Sequence, residues 1–206
     1  MFLLSCFRAV EDFLFVPRCV VCRKDGIYLC ESHLRDLQTT NGPFRMNDLE
    51  VWAPFLYREK IIKKILECFK YKGAKGLGEI MAHRMILPNV VEDIIIIPIP
   101  LHVTRHLWRG YNQSFVLAKE LCILYNLSIS TDLKRTKKTA QQARLNRTDR
   151  AKNVENSFVW KGSSLKGKVV FLVDDVCTSG ATLKSAAEVL QKAGAKDVFG
   201  VVFARG

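Results

Sequence analysis

The sequence predicts an α/β chain in which a parallel sheet carries helices on both faces and follows a small N-terminal metal-binding module. Three observations predict it. Asp93–Ile99 and Val169–Val173 are apolar runs that do not alternate, as expected of strands buried on both faces. Each run passes into a glycine-containing loop and then into apolar residues at helical spacing. Ahead of them, Cys19-x-x-Cys22 and Cys30-x-x-His33 bring four soft or borderline metal ligands close together in the chain.

With 206 residues, the chain suits one domain, or one domain with a small appendage. Twelve phenylalanines and 49% hydrophobic residues supply a core. The 32 basic residues exceed the 20 acidic ones, giving a net charge of +12, which suits an anionic partner, either a phosphorylated small molecule or nucleic acid. A basic protein without such a partner has the same balance, so the distribution of charge matters more. Arg58, Lys60, Lys63, Lys64, Lys70, Lys72 and Lys75 crowd one stretch, and residues 134–152 carry eight basic residues against Asp149 alone. No run reaches the roughly 18 apolar residues of a membrane span, and no secretory leader is legible, so a cytoplasmic location is expected. Seven cysteines in a reducing compartment point to metal or free thiols, not to a disulfide framework.

Taken in order, Met1–Val16 reads as an amphipathic helix with Phe2, Phe7, Val10, Phe13 and Leu14 on one face. It is expected to dock on its own core or on a partner, since its polar face lacks the basic character of a membrane-surface helix. In Cys19–His33 each C-x-x-[CH] pair forms a knuckle, and two knuckles satisfy one tetrahedral Zn²⁺. Four protein ligands leave no open position, so this zinc is structural. His33 is included only for its spacing from Cys30. The polar stretch Gln38–Asp48 reads as a linker, dividing the chain into a module over residues 1–45 and a larger domain over 46–206. Val51–Tyr57 reads as a strand with Pro54 at an edge. Ile61–Phe69 has a helical period and stops at Gly73, and a second helix runs through Leu77–Leu87 to Pro88.

The strand Asp93–Ile99 ends in Pro98-Ile99-Pro100-Leu101-His102, followed by Arg105, His106 and Arg109-Gly110-Tyr111-Asn112-Gln113. A basic, glycine-containing loop before a helix suits an anion, and Arg105 and Arg109 suit a pyrophosphate. Surface exposure is the competing reading for both arginines and for the histidines. A helix is expected to follow through Leu124. Leu133–Val154 has no sustained apolar period and reads as a long basic loop, either functional or simply exposed. Ser157–Trp160 reads as a short strand and Lys196–Ala204 as the last one.

The most informative stretch is Val169–Leu183. Its strand is followed by Asp174, Asp175, Val176, Cys177, Thr178, Ser179, Gly180, Ala181 and Thr182, and then by Leu183, Ala186, Ala187 and Leu190 at helical spacing. Free N–H groups at a helix start and the hydroxyls of Thr178, Ser179 and Thr182 suit a phosphate. Carboxylates at a strand end suit sugar hydroxyls or a hydrated Mg²⁺. A sugar 5-phosphate satisfies both halves. A Walker B strand also ends in Asp-Asp, but the chain contains no G-x-x-x-x-G-K-[ST]. Cys177 reads as filler.

The segment FLVDDVCTSGAT resembles the 5-phosphoribosyl-1-pyrophosphate (PRPP) motif of type I phosphoribosyltransferases. Together with the zinc knuckles, Tyr71-Lys72-Gly73, the run Pro98–Gln113, and Arg135, Thr139, Gln142, Leu145, Arg150 and Asn153, it resembles the ComF family of phosphoribosyltransferase-like competence proteins. His33 stands where family members commonly carry Cys, and Ser179 where a second Thr is common. The resemblance implies a type I phosphoribosyltransferase-like sheet behind the zinc module and a role in natural transformation. It also implies a DNA-translocating helicase and the inner-membrane DNA uptake channel as partners, with any membrane association made through them.

Two functions follow. In the first, the chain binds single-stranded DNA in the cytoplasm through Lys63, Lys64, Lys70, Tyr71 and Lys72 and also carries a PRPP site. In the second it is an active phosphoribosyltransferase acting on an unidentified acceptor. Thr178–Thr182 would then hold the 5-phosphate, Asp174 and Asp175 the ribose hydroxyls, and Arg105 and Arg109 the pyrophosphate with Mg²⁺. No base-recognition segment is legible in the sequence.

Overall fold

The structure is a computed structural model and describes residues 17–40, 42–90, 93–101, 109–136 and 157–206. Met1–Val16, His102, Arg105, His106 and most of the basic loop, with Thr139, Gln142, Leu145, Arg150 and Asn153, lie outside the described residues.

After the Cys/His segment comes a short helix α1 (Glu31–Arg35). Strands β1 (Pro43–Met46), β2 (Leu49–Trp52) and β3 (Phe55–Leu56) precede helices α2 (Lys60–Tyr71) and α3 (Leu77–Ala82). Then follow β4 (Ile94–Pro98), α4 (Gln113–Tyr125), β5 (Ser128–Ile129), β6 (Leu133–Arg135) and β7 (Phe158–Trp160). Strand β8 (Val169–Cys177), helix α5 (Ala181–Lys192) and strand β9 (Asp197–Arg205) close the described chain.

Among the described residues, seven strands form one sheet in the order β1-β2-β9-β8-β4-β5, with β3 also paired to β9. Every pairing in it is parallel except β1 with β2. β6 and β7 form a separate antiparallel pair. The central strand β8 alternates between two cores, as the pleat requires. Val169, Phe171 and Val173 pack with α2, α3 and α4 on one face, and Val170 and Leu172 pack with α5 on the other. The expected parallel sheet with helices on both faces is therefore present.

Several boundaries differ from the sequence reading, each for a local reason. The supposed linker contains β1, which turns back at Asn47 and Asp48, both at positive φ (51° and 64°), into β2. The division placed between residues 45 and 46 thus falls inside a strand of the main sheet. Cys19, Val20 and Leu29 also share a core with Phe55, Ile62 and Phe69, so the N-terminal module packs on the sheet's own core. The single strand expected over Val51–Tyr57 is split into β2 and β3 around Ala53-Pro54, because proline has no N–H to donate. The helix starting at Leu77 ends at Ala82, well before Pro88. Leu133–Arg135, expected in a loop, pairs with β7. The strand expected to end at Val173 continues to Cys177, because β9 pairs with it as far as Arg205. Asp174 and Asp175 therefore lie within a strand.

The path of the chain defines one crevice. From β4 the connection through α4 leads outward to β5, and from β8 the connection through α5 leads the opposite way to β9. The winding reverses between β4 and β8, and ligands of open α/β sheets bind beyond the carboxyl ends of the strands at such a point.

Candidate functional site

At this reversal stand the residues singled out by sequence. Val176 and Cys177 end β8, Thr178, Ser179 and Gly180 form the turn, and Ala181 and Thr182 begin α5. Gly180 has φ 71°, a left-handed conformation open to glycine. It is also covered by the β1–β2 turn: a Cβ there would lie 2.6 Å from Met46 Sδ. Asn47 Nδ2 donates to the Ser179 carbonyl at 2.9 Å and so pins the turn from outside. Cys177 is buried, and burial, followed by the charge of Asp174, pushes its thiol up to about 12. It is packing, as the sequence reading has it.

The two aspartates have different surroundings. Asp174 Oδ1 accepts from Ser114 Oγ at 2.8 Å and from the Asp175 N–H at 2.8 Å. Burial, and then the charge of Asp175, raises its pKa to about 6 despite these bonds. Asp175 Oδ1 lies 2.9 Å from Lys70 Nζ in a pair whose side chains are 10% and 18% exposed. Burial opposes the Lys70 charge, but Asp175 outweighs it and holds the ammonium above the ordinary lysine pKa.

Ser114 is positioned by the start of α4. Asn112 caps that helix, its Oδ1 accepting from the Ser114 N–H at 3.1 Å while its Nδ2 donates to the Ile99 carbonyl at 3.0 Å. A continuous chain of hydrogen bonds thus runs from the end of β4 to the acid pair. Arg109 lies over the Tyr71 ring at 5.2 Å and donates to Gln113 Oε1 at 3.1 Å. Its buried Nε has no hydrogen-bond partner among the described residues. Tyr111 donates to the Phe69 carbonyl and supports the Lys75 ammonium 5.6 Å from its ring centroid. Beside the crevice, Pro98, Pro100, Tyr111, Asn112, Phe115 and Thr131 line a cavity of about 260 Å³.

Of the residues expected to meet nucleic acid, Lys63, Tyr71 and Lys72 are exposed. Lys64 is half-buried and donates to the Val21 carbonyl at 3.4 Å, and Lys70 turns inward to Asp175. Sequence reasoning does not connect Lys70, Ser114 or Asn47 with the acid pair and phosphate turn. No local signal marks these contacts, because they join segments far apart in the chain.

At the N-terminal end, the ligand atoms of Cys19, Cys22, Cys30 and His33 all lie within 4.8 Å of one another. Cys22 Sγ and Cys30 Sγ are 3.6 Å apart, as are Cys19 Sγ and His33 Nδ1. Tetrahedral Zn–S bonds of about 2.3 Å place two sulfurs about 3.8 Å apart, so the donor set fits that ion. Burial works upward on the Cys19 thiol, but the N–H groups of Cys22, Cys30 and Val21 outweigh it and bring it to about 6. Burial and the neighbouring thiols push Cys30 up to about 11. A divalent cation relieves this conflict by charge. The backbone helps to gather the ligands. Arg23 and Gly26 take positive φ, and Cys30 stands at the N-cap position of α1, its carbonyl accepting from the Leu34 N–H, so that the helix presents His33 one turn later.

Comparison with known proteins bears on the fold and relatives of the chain. A family model described as phosphoribosyl transferase domain matches residues 112–206. Competence protein F of Haemophilus influenzae is 34% identical over 119 residues, 56% of this chain and 50% of that protein. DNA utilization protein YhgH of Escherichia coli O157:H7 is 35% identical over 104 residues, 50% of this chain and 45% of that protein. The chain therefore spans about half the length of these two relatives. Competence protein ComFC of Streptococcus pneumoniae is 24% identical over 217 residues, 95% of this chain and 96% of that protein. In its ordered motifs, its Cys/His cluster and these relatives, the chain is similar to the ComF family of competence proteins, and residues 112–206 match a phosphoribosyl transferase domain.

Proposed function

We propose that the protein acts in the cytoplasmic handling of single-stranded DNA during natural transformation and binds PRPP in the β4–β8 crevice. The observation that carries the PRPP reading is the meeting of the partly buried acid pair with the Thr178–Gly180 turn and the start of α5 at the reversal of the sheet. In this reading the turn and Thr182 hold the 5-phosphate through N–H and hydroxyl donors. Asp174 and Asp175 receive the ribose hydroxyls, with Ser114 keeping Asp174 oriented. Arg109, with Arg105 four residues earlier in the sequence, meets the pyrophosphate. The carboxylates and the ligand's own oxygens suit Mg²⁺, which when bound neutralises pyrophosphate charge.

Support for DNA binding comes from the α2 surface. Lys63, Tyr71 and Lys72 are exposed there, and the Lys64–Val21 contact brings α2 against the metal module, where Arg23 and Lys24 are exposed. Basic groups track phosphates and aromatic faces stack bases. The family resemblance adds a helicase and the uptake channel as partners. An active phosphoribosyltransferase is the second reading. It is favoured by the cavity beside the crevice, which is lined by Pro98, Tyr111 and Phe115 and suits a flat acceptor.

The test is calorimetric titration of PRPP with Mg²⁺ into wild type and into Asp174→Asn/Asp175→Asn, with DNA binding followed on both proteins. Binding by wild type alone supports the site, and absence of binding by wild type removes it. Replacing Lys63 and Lys72 by Ala should lower the salt slope of DNA binding by about 0.7 per lost phosphate contact. An unchanged slope removes the α2 surface from the reading.

A further inference from the structure

Lys70 is the one lysine of α2 that turns into the crevice, and the proposed ligand contacts leave it without a role. Its ammonium occupies Asp175 Oδ1, the carboxylate expected to receive the ligand. The next residue, Tyr71, supports Arg109 on its ring face, and the Arg109 guanidinium acts on Lys70 as a like charge. Two cations side by side in a partly buried wall are unfavourable unless an anion joins them. Asp175 is that anion for Lys70, while Arg109 keeps a buried Nε with no partner among the described residues.

We infer that Lys70 is a built-in substitute for a divalent cation. It neutralises Asp175 in the free chain and moves to the phosphate oxygens of the incoming ligand, so that metal and phosphate ligand enter the crevice together and not singly. The first half of this statement stands on the ion pair alone, and the second rests on the reading of the crevice as a PRPP site. The exchange balances charge at each stage: Asp175 trades one cation for another, and Lys70 joins Arg109 around a polyanion that pairs with both.

The experiment titrates Mn²⁺ into wild type, Lys70→Gln and Lys70→Arg, following free Mn²⁺ by electron paramagnetic resonance with the zinc module loaded. Lys70→Gln should hold Mn²⁺ roughly tenfold or more tighter than wild type, because its unpaired Asp175 attracts the ion. Lys70→Arg, which keeps the charge, should stay near wild type. Equal Mn²⁺ affinity in all three proteins overturns the inference. Calorimetry of PRPP with Mg²⁺ is the second arm, where Lys70→Gln should bind about tenfold more weakly than wild type. If no protein binds PRPP while Lys70→Gln still gains Mn²⁺, the counter-ion half stands and the PRPP reading falls. A measurement on wild type keeps the test valid should Lys70→Gln not fold. The ¹⁵N resonance of the Lys70 ammonium should stay in place with millimolar Mg²⁺ and shift when PRPP joins it; a shift with Mg²⁺ alone overturns the inference.

Discussion

The metal centre collects Cys19, Cys22, Cys30 and His33 from one short loop and the helix after it, whereas the crevice collects Asn47, Lys70, Ser114, Asp174 and Asp175 from four separate parts of the chain. The first region is local, and its donor set suits a single ion that would order it. The second is non-local and gains its order from the sheet, since Ser114 and Lys70 reach the acids only after α4 and α2 have packed against β8. The two regions therefore respond differently to damage. Loss of one ligand is expected to undo the module, while loss of one crevice residue leaves a partner such as Lys70 or Asp175 unsatisfied.

The largest effect is expected at the metal centre. Structural Zn²⁺ contributes on the order of 10 kcal/mol in small domains, and here Cys19, Val20 and Leu29 also complete the main core. Cys22→Ser should release zinc, measured by atomic emission, and lower the melting temperature more than any single crevice substitution. A protein that loses its zinc but melts as before would mean that the module and sheet are energetically separate.

Next comes the Lys70–Asp175 pair. Breaking a buried pair from one side costs roughly 3–5 kcal/mol because the other charge stays behind. Asp175→Asn and Lys70→Met should each shift the urea midpoint strongly, and the double variant should recover most of the loss. Additive losses in the double variant would show that the pair contributes little as a pair.

The smallest of the three is a pH effect. The Asp174 carboxyl is raised from 3.8 to about 6, so the folded chain binds its proton more tightly than the unfolded chain. The resulting stabilisation is full below pH 3.8 and is lost as pH rises through about 6, by at most about 3 kcal/mol for a shift of this size. Asp174→Asn should remove this component of the stability profile between pH 4 and 6. A variant profile parallel to wild type would place the shift elsewhere.

Legibility follows the same divide. Both C-x-x-[CH] knuckles can be read because ligand spacing is a local property, and the distances bear the grouping out, His33 included. The phosphate turn can be read because strand, acids, glycine and helix are consecutive. The β1–β2 turn over Gly180 cannot, since Asn47 and Ser179 meet only when β1 joins the sheet. Charge patterning along the chain puts Lys70 in the exposed basic row, because it does not distinguish a lysine facing solvent from one facing Asp175.

By itself, then, the sequence determined the buried parallel strands, the Cys/His grouping and the strand–acid pair–turn–helix order, because hydrophobic period, residue spacing and turn chemistry act over a few residues. Only the tertiary structure decided which cation neutralises Asp175, which hydroxyl orients Asp174, and that the metal module shares the sheet's core. Those contacts depend on the order of strands and the faces taken by helices, and these are settled by packing across the whole chain.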